Sequence, residues 1–201
     1  MSLLRAPQSS TVVGASRNSR VSGLLKWRSA EAGDRAALQT FVCTDPATKR
    51  RVGLRKCVIE HPRMWEWNVQ CRIRALQPAY SYPTQMIVGE DNEGIGAVSV
   101  FEELDGPLLV ELSYMALAYR LRFKGGGYAD EMGEETWQRI EARAIDRGLN
   151  AVNVIALVDE GNVASQKLCR RLGLVHSGMR DETLQQWSGV QAIGDLPEDL
   201  N

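Results

Sequence analysis

The sequence lacks a net charge of one sign, a long apolar run and a dense group of metal-binding side chains. Its 24 basic and 25 acidic residues give a formal net charge of -1, which gives no support to a protein that coats nucleic acid or an anionic membrane. No apolar run approaches the roughly 18–20 residues that a membrane-spanning helix needs. We therefore expect neither nucleic acid nor a membrane among its partners.

The cysteines are few, widely separated and include no C-x-x-C pair: Cys43, Cys57, Cys71 and Cys169. Only His61 and His176 could add imidazole ligands, so the spacing argues against a structural zinc site and we expect no bound metal. Scattered cysteines fit a reduced interior better than a disulfide framework, which favours a cytoplasmic protein.

What is present is the composition of an ordinary globular protein. The 201 residues fit one domain, and 44% hydrophobic with 24% charged residues allow a core of useful size. Residues 1–22 contain arginines and serines but no acid. We expect a flexible or loosely docked extension there, with an organelle transit peptide as the alternative. The domain then covers residues 23–190, and residues 191–201 form an acidic tail.

Hydrophobic periodicity and turn residues predict the element order β-α-α-β-β-β-α-β-α-β-β. Predicted strands cover residues 23–29, 84–91, 94–104, 107–119 and 151–158, with a final strand pair up to residue 187. Predicted helices cover residues 30–43, 60–78, 128–147 and 162–172. Hairpin strands followed by a right-handed β-α-β crossover give a mixed sheet. The predicted fold class is therefore α/β (α+β), in a single domain.

The segment RFKGGGYADEM, residues 122–132, places three glycines between a predicted strand and a predicted helix. The N–H groups at a helix start are unpaired, and without Cβ atoms a phosphate group can approach them closely. The P-loop pattern is absent, and the pattern G-x-G-x-x-G fails where Asp130 stands. A flexible turn is the alternative interpretation. If the loop binds phosphate, Asp130 and Glu131 must point away from it.

Two segments together resemble the GCN5-related N-acetyltransferase (GNAT) superfamily. Arg122-x-x-Gly125-x-Gly127 is similar to its Q/R-x-x-G-x-G/A signature. The segment NVASQKLCRRLGL, residues 162–174, resembles the family pattern N-x-x-A/S-x-x-L-Y-x-x-L-G-F, with leucine in place of the final phenylalanine. The opening GLLKWRSAEAGDRAAL is similar to the family's first strand and helix. The resemblance covers residues 23–190.

The resemblance implies a mostly antiparallel, splayed sheet flanked by helices, with acetyl-coenzyme A as the cofactor. The pantetheine arm would bond the backbone of Met115, Ala116 and Leu117, which the splay leaves unpaired. Asn162 and Ser165 would help to hold the arm, although Asn162 is equally suited to cap a helix. The pyrophosphate would rest on the following loop: Arg122, Phe123, Lys124, Gly125, Gly126, Gly127, Tyr128 and Ala129. A shifted register, Lys124-x-x-Gly127-x-Ala129, stays open.

The implied reaction moves an acetyl group from acetyl-coenzyme A to an amine, and the amine must lose a proton to a base. Glu111 is the predicted base, and strand alternation would place it on one sheet face with Ser113 and Met115. A glutamate on the solvent side of the strand is the alternative interpretation. Glu102 and Glu103 are weaker candidates for the same role.

The leaving thiolate must gain a proton. Cys169 stands where the family usually has a tyrosine acid, and its thiol is the predicted acid because its ordinary pKa is close to that of the leaving group. A small core residue is the alternative for Cys169, with the proton then coming from water. A tyrosine elsewhere could also act: Tyr114, Tyr119 or Tyr128. A backbone N–H near Leu117 would stabilise the oxyanion.

The acceptor is not identified by the sequence. The segment from Cys57 to Pro83 is expected to wall its pocket with four aromatic residues: Trp65, Trp67, Tyr80 and Tyr82. These aromatics favour an amine-bearing small molecule or a peptide end as the partner. A non-catalytic sensor or interaction domain that keeps acetyl-coenzyme A binding is the alternative function. The sequence is also compatible with a homodimer.

Overall fold

A computed structural model of the protein describes residues 23–45, 50–52, 58–78, 83–104 and 108–193. The strands are β1 (Lys26–Ser29), β2 (Arg50–Val52), β3 (Val58–Glu60), β4 (Thr84–Asp91), β5 (Gly94–Leu104), β6 (Leu109–Leu117), β7 (Ala151–Asp159), β8 (Val175–Met179) and β9 (Leu184–Ala192). The helices are α1 (Arg35–Thr40), α2 (Met64–Ala75), α3 (Tyr128–Asp146) and α4 (Val163–Arg171). The predicted extension 1–22 and residues 194–201 of the predicted tail lie outside the described residues.

Seven of the described strands form one sheet in the order β1-β4-β5-β6-β7-β9-β8, and β2 and β3 form a separate antiparallel pair. Neighbouring strands of the large sheet are antiparallel except β6 and β7, which are parallel. One face packs against α1 and α2, and the other packs against α3 and α4. The predicted mixed, mostly antiparallel α/β domain is confirmed. In the part of the chain that the structure describes, every helix is too short or too polar to cross a membrane.

Several elements differ from their predicted bounds. The first predicted helix is a 3₁₀ turn, Ala32–Asp34, followed by the short α1. Asp34 accepts from the backbone N–H of Glu31 and pairs with Arg28, which fixes this turn. The antiparallel pair of β2 and β3 has no predicted counterpart. At the other end, β9 enters the segment predicted as a tail, and Ile193 after it is buried in the core.

The sheet opens between β6 and β7. The two strands pair only from Leu109 with Asn153 to Leu112 with Ala156, and then they diverge. On its other side, β6 stays paired with β5 as far as Leu117. The predicted splay is therefore present, and beyond Leu112 no strand of the described residues pairs with that side of β6.

A β-bulge at Ser113 changes which face the residues of β6 occupy. Tyr114 pairs with Val100, but Leu112 pairs with Phe101, so Ser113 is an extra residue in β6. An extra residue reverses the alternation that follows it. The predicted common face of Glu111, Ser113 and Met115 is therefore wrong.

The packing on either side of the bulge agrees with this reversal. Val110 and Leu112 belong to the core cluster that contains Ile140 of α3, and Met115 packs against that same side. Tyr114 packs against the cluster of α1 and α2. Glu111 alternates with Val110 and Leu112, so it faces the α1 and α2 side.

Candidate active site

A cleft lies where β6 and β7 diverge, with about 640 Å³ of empty space that opens to solvent. Several residues predicted to bind the coenzyme line it: Met115, Ala116, Leu117, Arg122, Ala129, Asn162 and Ser165. The side towards α1 and α2 is formed by Cys43, Glu66 and Val69. On β6 the backbone groups that point away from β5 face this cleft, because β7 no longer pairs with them.

The glycine loop adopts a backbone that only glycine takes up easily. Gly125, Gly126 and Gly127 have φ angles of 71°, 87° and 80°, in the left-handed region where a Cβ atom is strained. Gly127 is the N-cap of α3, and a Cβ atom on Gly125 or Gly127 would meet nothing within 4 Å. The loop is therefore bare and exposed at the positive end of a long helix.

The loop's N–H groups are not used by the fold. Among the hydrogen bonds of the described residues, none takes its donor from the N–H of Gly125, Gly126, Gly127, Tyr128 or Ala129. The next amides along α3 bond back to the carbonyl oxygen of Gly127. An exposed row of free donors at a helix start fits an anion such as a pyrophosphate.

The two acids that follow the loop point away from it. Glu131 is buried and accepts hydrogen bonds from the backbone N–H groups of Leu24 (3.0 Å) and Leu25 (3.2 Å) and from the indole of Trp27 (3.1 Å). Asp130 pairs with Arg171 of α4 at 2.5 Å. Neither carboxylate therefore faces a phosphate group bound at the loop. Glu131 also connects β1 to α3.

The side chain of Arg122 lies on α2 rather than beside the loop amides. It makes two bonds to Glu66, at 2.8 and 2.5 Å, and a third to the carbonyl oxygen of Cys43 at 2.8 Å. Burial raises the pKa of Glu66, but the bonds and charge of Arg122 outweigh burial and the pKa lies below its usual value. Phe123 follows with a left-handed φ of 67° and a ring that is 83% exposed.

Asn162 acts as the predicted helix cap. Its side-chain oxygen accepts a hydrogen bond from the backbone N–H of Ser165 at 3.2 Å, at the start of α4. Both residues also line the cleft. The capping role is therefore visible in the structure, and the side-chain amide stands where it can serve the coenzyme arm as well.

Replacing Asn162 by alanine should lower the free energy of unfolding by about 1 kcal/mol, the usual effect of losing a side-chain cap. Asn162→Asp keeps an acceptor oxygen and should restore this stability, while it removes the side-chain N–H donors. Urea denaturation of the three proteins measures the first effect, and calorimetry with coenzyme A measures the second. Equal stability of wild type and Asn162→Ala would contradict the capping role.

Glu111 lies on β6 directly opposite Glu102 of β5, and both carboxylates are on the face towards α1 and α2. Burial raises the pKa of Glu111, the nearby charge of Glu102 raises it further, and Arg180 opposes this. A raised pKa brings a carboxylate closer to the range in which a general base works best. Its position next to the point where β6 and β7 separate agrees with that use.

The other predicted acid and base candidates are placed differently. Glu103 is buried on the opposite face and pairs with Arg143 of α3 at 2.9 Å and with Arg147, just after α3, at 3.1 Å, which indicates a structural role. Cys169 is buried in the core, and burial raises the pKa of its thiol to about 11. It is not among the residues that line the cleft, so its geometry gives no support to a catalytic acid.

The predicted acceptor wall is partly described. The ring of Trp65 lies against Gly161, because a Cβ atom on that glycine would be 2.9 Å from it. Trp67 stacks on His61, with ring centroids 6.1 Å apart. Tyr80, Tyr82 and Cys57 lie outside the described residues. Within the described ranges, no group of histidine, cysteine, aspartate or glutamate side chains is arranged to hold a metal ion.

The splayed sheet and the free amides of the glycine loop beside the cleft fit a protein that binds a coenzyme through its diphosphate. The family described as acetyltransferase (GNAT) domain matches residues 24–175. The chain belongs to this family of acetyl-coenzyme A-dependent N-acetyltransferases, and acetyl-coenzyme A is its co-substrate. The residues present fit that group, since the loop offers amide donors and the cleft offers unpaired strand backbone.

Solved structures share the fold at low sequence identity. The PaiA N-acetyltransferase from Thermoplasma acidophilum, in complex with coenzyme A, is 10% identical with a TM-score of 0.59, over 84% of this chain and 98% of that one. AtaTR bound with acetyl-coenzyme A is 11% identical with a TM-score of 0.55, over 82% and 92%. The ribosomal-protein-S18-alanine N-acetyltransferase from Escherichia coli is 13% identical with a TM-score of 0.52, over 89% and 99%. No curated protein sequence matches the chain.

Proposed function

We propose that the protein acetylates an amine of a small molecule or of a peptide or protein, with Glu111 as the general base. The observation that carries the proposal is the row of unused N–H groups at Gly125–Ala129, beside a cleft that β6 lines. Glu111 is not among the lining residues, but it lies on β6 next to the point where β6 and β7 separate. Amides that bind phosphate and a carboxylate that can accept a proton both serve this reaction.

Different residues along the cleft bind the pyrophosphate and the pantetheine arm of the coenzyme. The loop from Arg122 to Ala129 donates its free amides, those of Gly125–Ala129, to the pyrophosphate, whichever of the two signature registers it uses. The open side of β6, at Met115–Leu117, bonds the pantetheine arm from one wall. Asn162 and Ser165 contact the arm from the opposite wall at the start of α4. When bound, acetyl-coenzyme A supplies an activated acetyl thioester.

Glu111 takes the proton that the acceptor ammonium group must lose before its nitrogen attacks the acetyl carbon. A new C–N bond then forms, the nitrogen gives its second proton to water, and the C–S bond breaks with its electron pair leaving on sulfur. A backbone N–H near Leu117 is the proposed donor to the carbonyl oxygen as charge develops there. The leaving thiolate takes its proton from water, because the Cys169 thiol is buried away from the cleft.

The acceptor binds on the side of α1 and α2, where Trp65 and Glu66 lie close to the cleft. The face of an aromatic ring suits an amine, which is cationic before it reacts. We place the reaction in the cytoplasm, an environment that suits the free thiols of Cys43, Cys71 and Cys169.

A coenzyme-binding sensor without turnover is the second candidate. The observation that favours it is the buried cysteine at the position where the family usually has a tyrosine acid. Glu111 argues for the enzyme by its position, because it lies on β6 next to the point where β6 and β7 separate.

Calorimetry with acetyl-coenzyme A and a thiol-release assay over a panel of amines and peptides tests the proposal. We expect acetyl-coenzyme A to bind and at least one amine to increase the release of free thiol. Binding without turnover across the panel would favour the sensor. Absence of binding would reject both functions.

A further inference from the structure

The first turn of α2 lies at the mouth of the cleft and is fastened to it by Arg122. The guanidinium group of Arg122 bonds both carboxylate oxygens of Glu66, and it also donates to the carbonyl oxygen of Cys43. Three residues from separate parts of the chain therefore meet at one group. Glu66, Cys43 and Arg122 all line the cleft.

This ion pair differs from an ordinary surface salt bridge. The side chains of Arg122 and Glu66 are only 18% and 13% exposed, so solvent screens their attraction less than it would at the surface. The two parallel bonds have the geometry in which arginine holds a carboxylate best. Bonding to Glu66 raises the pKa of Arg122, which is therefore charged at every relevant pH.

The same turn of α2 touches the opposite wall. The ring of Trp65 packs over Gly161 in the connection between β7 and α4, close enough that a Cβ atom there would be 2.9 Å from the ring. Consecutive residues of α2 thus reach both sides of the cleft. Glu66 reaches the loop that follows β6, and Trp65 reaches the loop that follows β7.

We propose that Arg122 is a positioning residue that fastens the first turn of α2 as a cover across the cleft, so that docking of α2 and binding of the coenzyme arm are linked. This inference rests on the proposed function. Arg122 begins the loop that offers its amides to the pyrophosphate, and its side chain holds the cover. A change in the docking of α2 therefore alters coenzyme binding, and coenzyme binding alters the docking of α2 by the same free energy.

Two consequences can be measured without knowing the acceptor. Coenzyme A should slow amide hydrogen exchange in residues 64–73 of α2, because it favours the state in which α2 is docked. Releasing the cover should weaken coenzyme A binding by about tenfold, within the usual range of such couplings. The amides of α3 lie outside the cover and should exchange at the same rate in all variants.

The test is hydrogen exchange with mass spectrometry on the full chain, with and without coenzyme A, for Glu66→Gln, Arg122→Gln and the double variant. The matched control is Asp91→Asn, which removes the charge of the carboxylate that Arg120 bonds. Arg120 stands two positions before Arg122 in the chain, but its pair with Asp91 lies away from the cleft. The side chains of Arg120 and Asp91 are 25% and 23% exposed. Gly161→Ala moves Trp65 and should raise exchange in α2 without altering any charge.

We expect at least tenfold faster exchange in α2 for Glu66→Gln and Arg122→Gln, no further increase in the double variant, and no change in α2 for Asp91→Asn. Unchanged α2 exchange in Glu66→Gln would overturn the proposal, as would faster exchange throughout the chain or additive effects in the double variant. If the wild type does not bind coenzyme A, the proposed function and the linkage both fail. The exchange of the ligand-free protein then still decides whether Arg122 holds α2.

Discussion

Gly127→Glu is expected to abolish binding of acetyl-coenzyme A, with a loss of affinity of about 100-fold or more. Like charges placed together in an interface cost several kcal/mol, which corresponds to that factor. The glutamate would stand at the N-cap of α3, beside the free amides that we assign to the pyrophosphate. A side chain there meets open space, so the substitution should leave the fold intact and act on the ligand.

Gly148→Glu is the matched control for this experiment. Gly148 has a φ of 64° and also faces open space, so glutamate suffers the same left-handed strain, of the order of 1 kcal/mol. It follows the C-terminal end of α3, where an acid is unfavourable, so this variant should be the less stable of the two. We expect normal binding by Gly148→Glu and none by Gly127→Glu in calorimetry. Unchanged affinity of Gly127→Glu would remove the loop from the coenzyme site.

Glu111→Gln is expected to lower turnover by about 100-fold to 10,000-fold, the range for losing a general base, and to leave coenzyme A affinity unchanged. The measurement is the rate of thiol release with an amine found in the panel. Full activity of the variant would remove Glu111 from the mechanism, while a loss of coenzyme affinity would assign it to binding.

The pH dependence gives a second check on Glu111. A base must be deprotonated, so activity should fall as the pH falls through the raised pKa of Glu111. Glu102→Gln removes the negative charge across from Glu111. This substitution should lower the pKa of Glu111 and move the acid limb of the pH–activity profile to lower pH. A carboxyl group whose pKa is higher in the folded protein than in the unfolded chain stabilises the fold at low pH. That stabilisation is lost as the pH rises through the pKa of the folded state. Glu111→Gln should therefore be at least as stable as the wild type at neutral pH.

Several elements could be predicted because their signals are local. The turn between Asp91 and Gly94 separates β4 from β5, and both strands have their predicted bounds. Apolar residues one helical turn apart predict α3, which ends just before Gly148. Such patterns depend on neighbours within a few positions and survive in the folded chain.

The bulge at Ser113 could not be predicted in this way. Its position is determined by how β6 pairs with β5, and a single extra residue changes the hydrophobic pattern of β6 very little. The consequence for the site is large, because it moves Glu111 from the face of Met115 to the face of Tyr114. Register errors of one residue reverse every side chain beyond them.

The charged contacts around the glycine loop also could not be predicted from the sequence. Arg122 meets Glu66, 56 positions away, and Glu131 meets Leu24, 107 positions away. No local pattern indicates which of many carboxylates or amides a side chain will reach. The burial of Cys169 belongs to the same class, since its place in the core depends on the packing of α4 against the sheet.

The left-handed backbone at Gly125, Gly126 and Gly127 restricts how this protein could evolve. Any other residue at these positions carries conformational strain, so ordinary drift cannot adjust the segment by exchanging side chains. A lineage that acquired a preference for a longer or bulkier acyl donor would have to change β6, α2 or α4 instead. The choice of acyl donor and the recognition of the diphosphate therefore depend on different parts of this fold and can change independently.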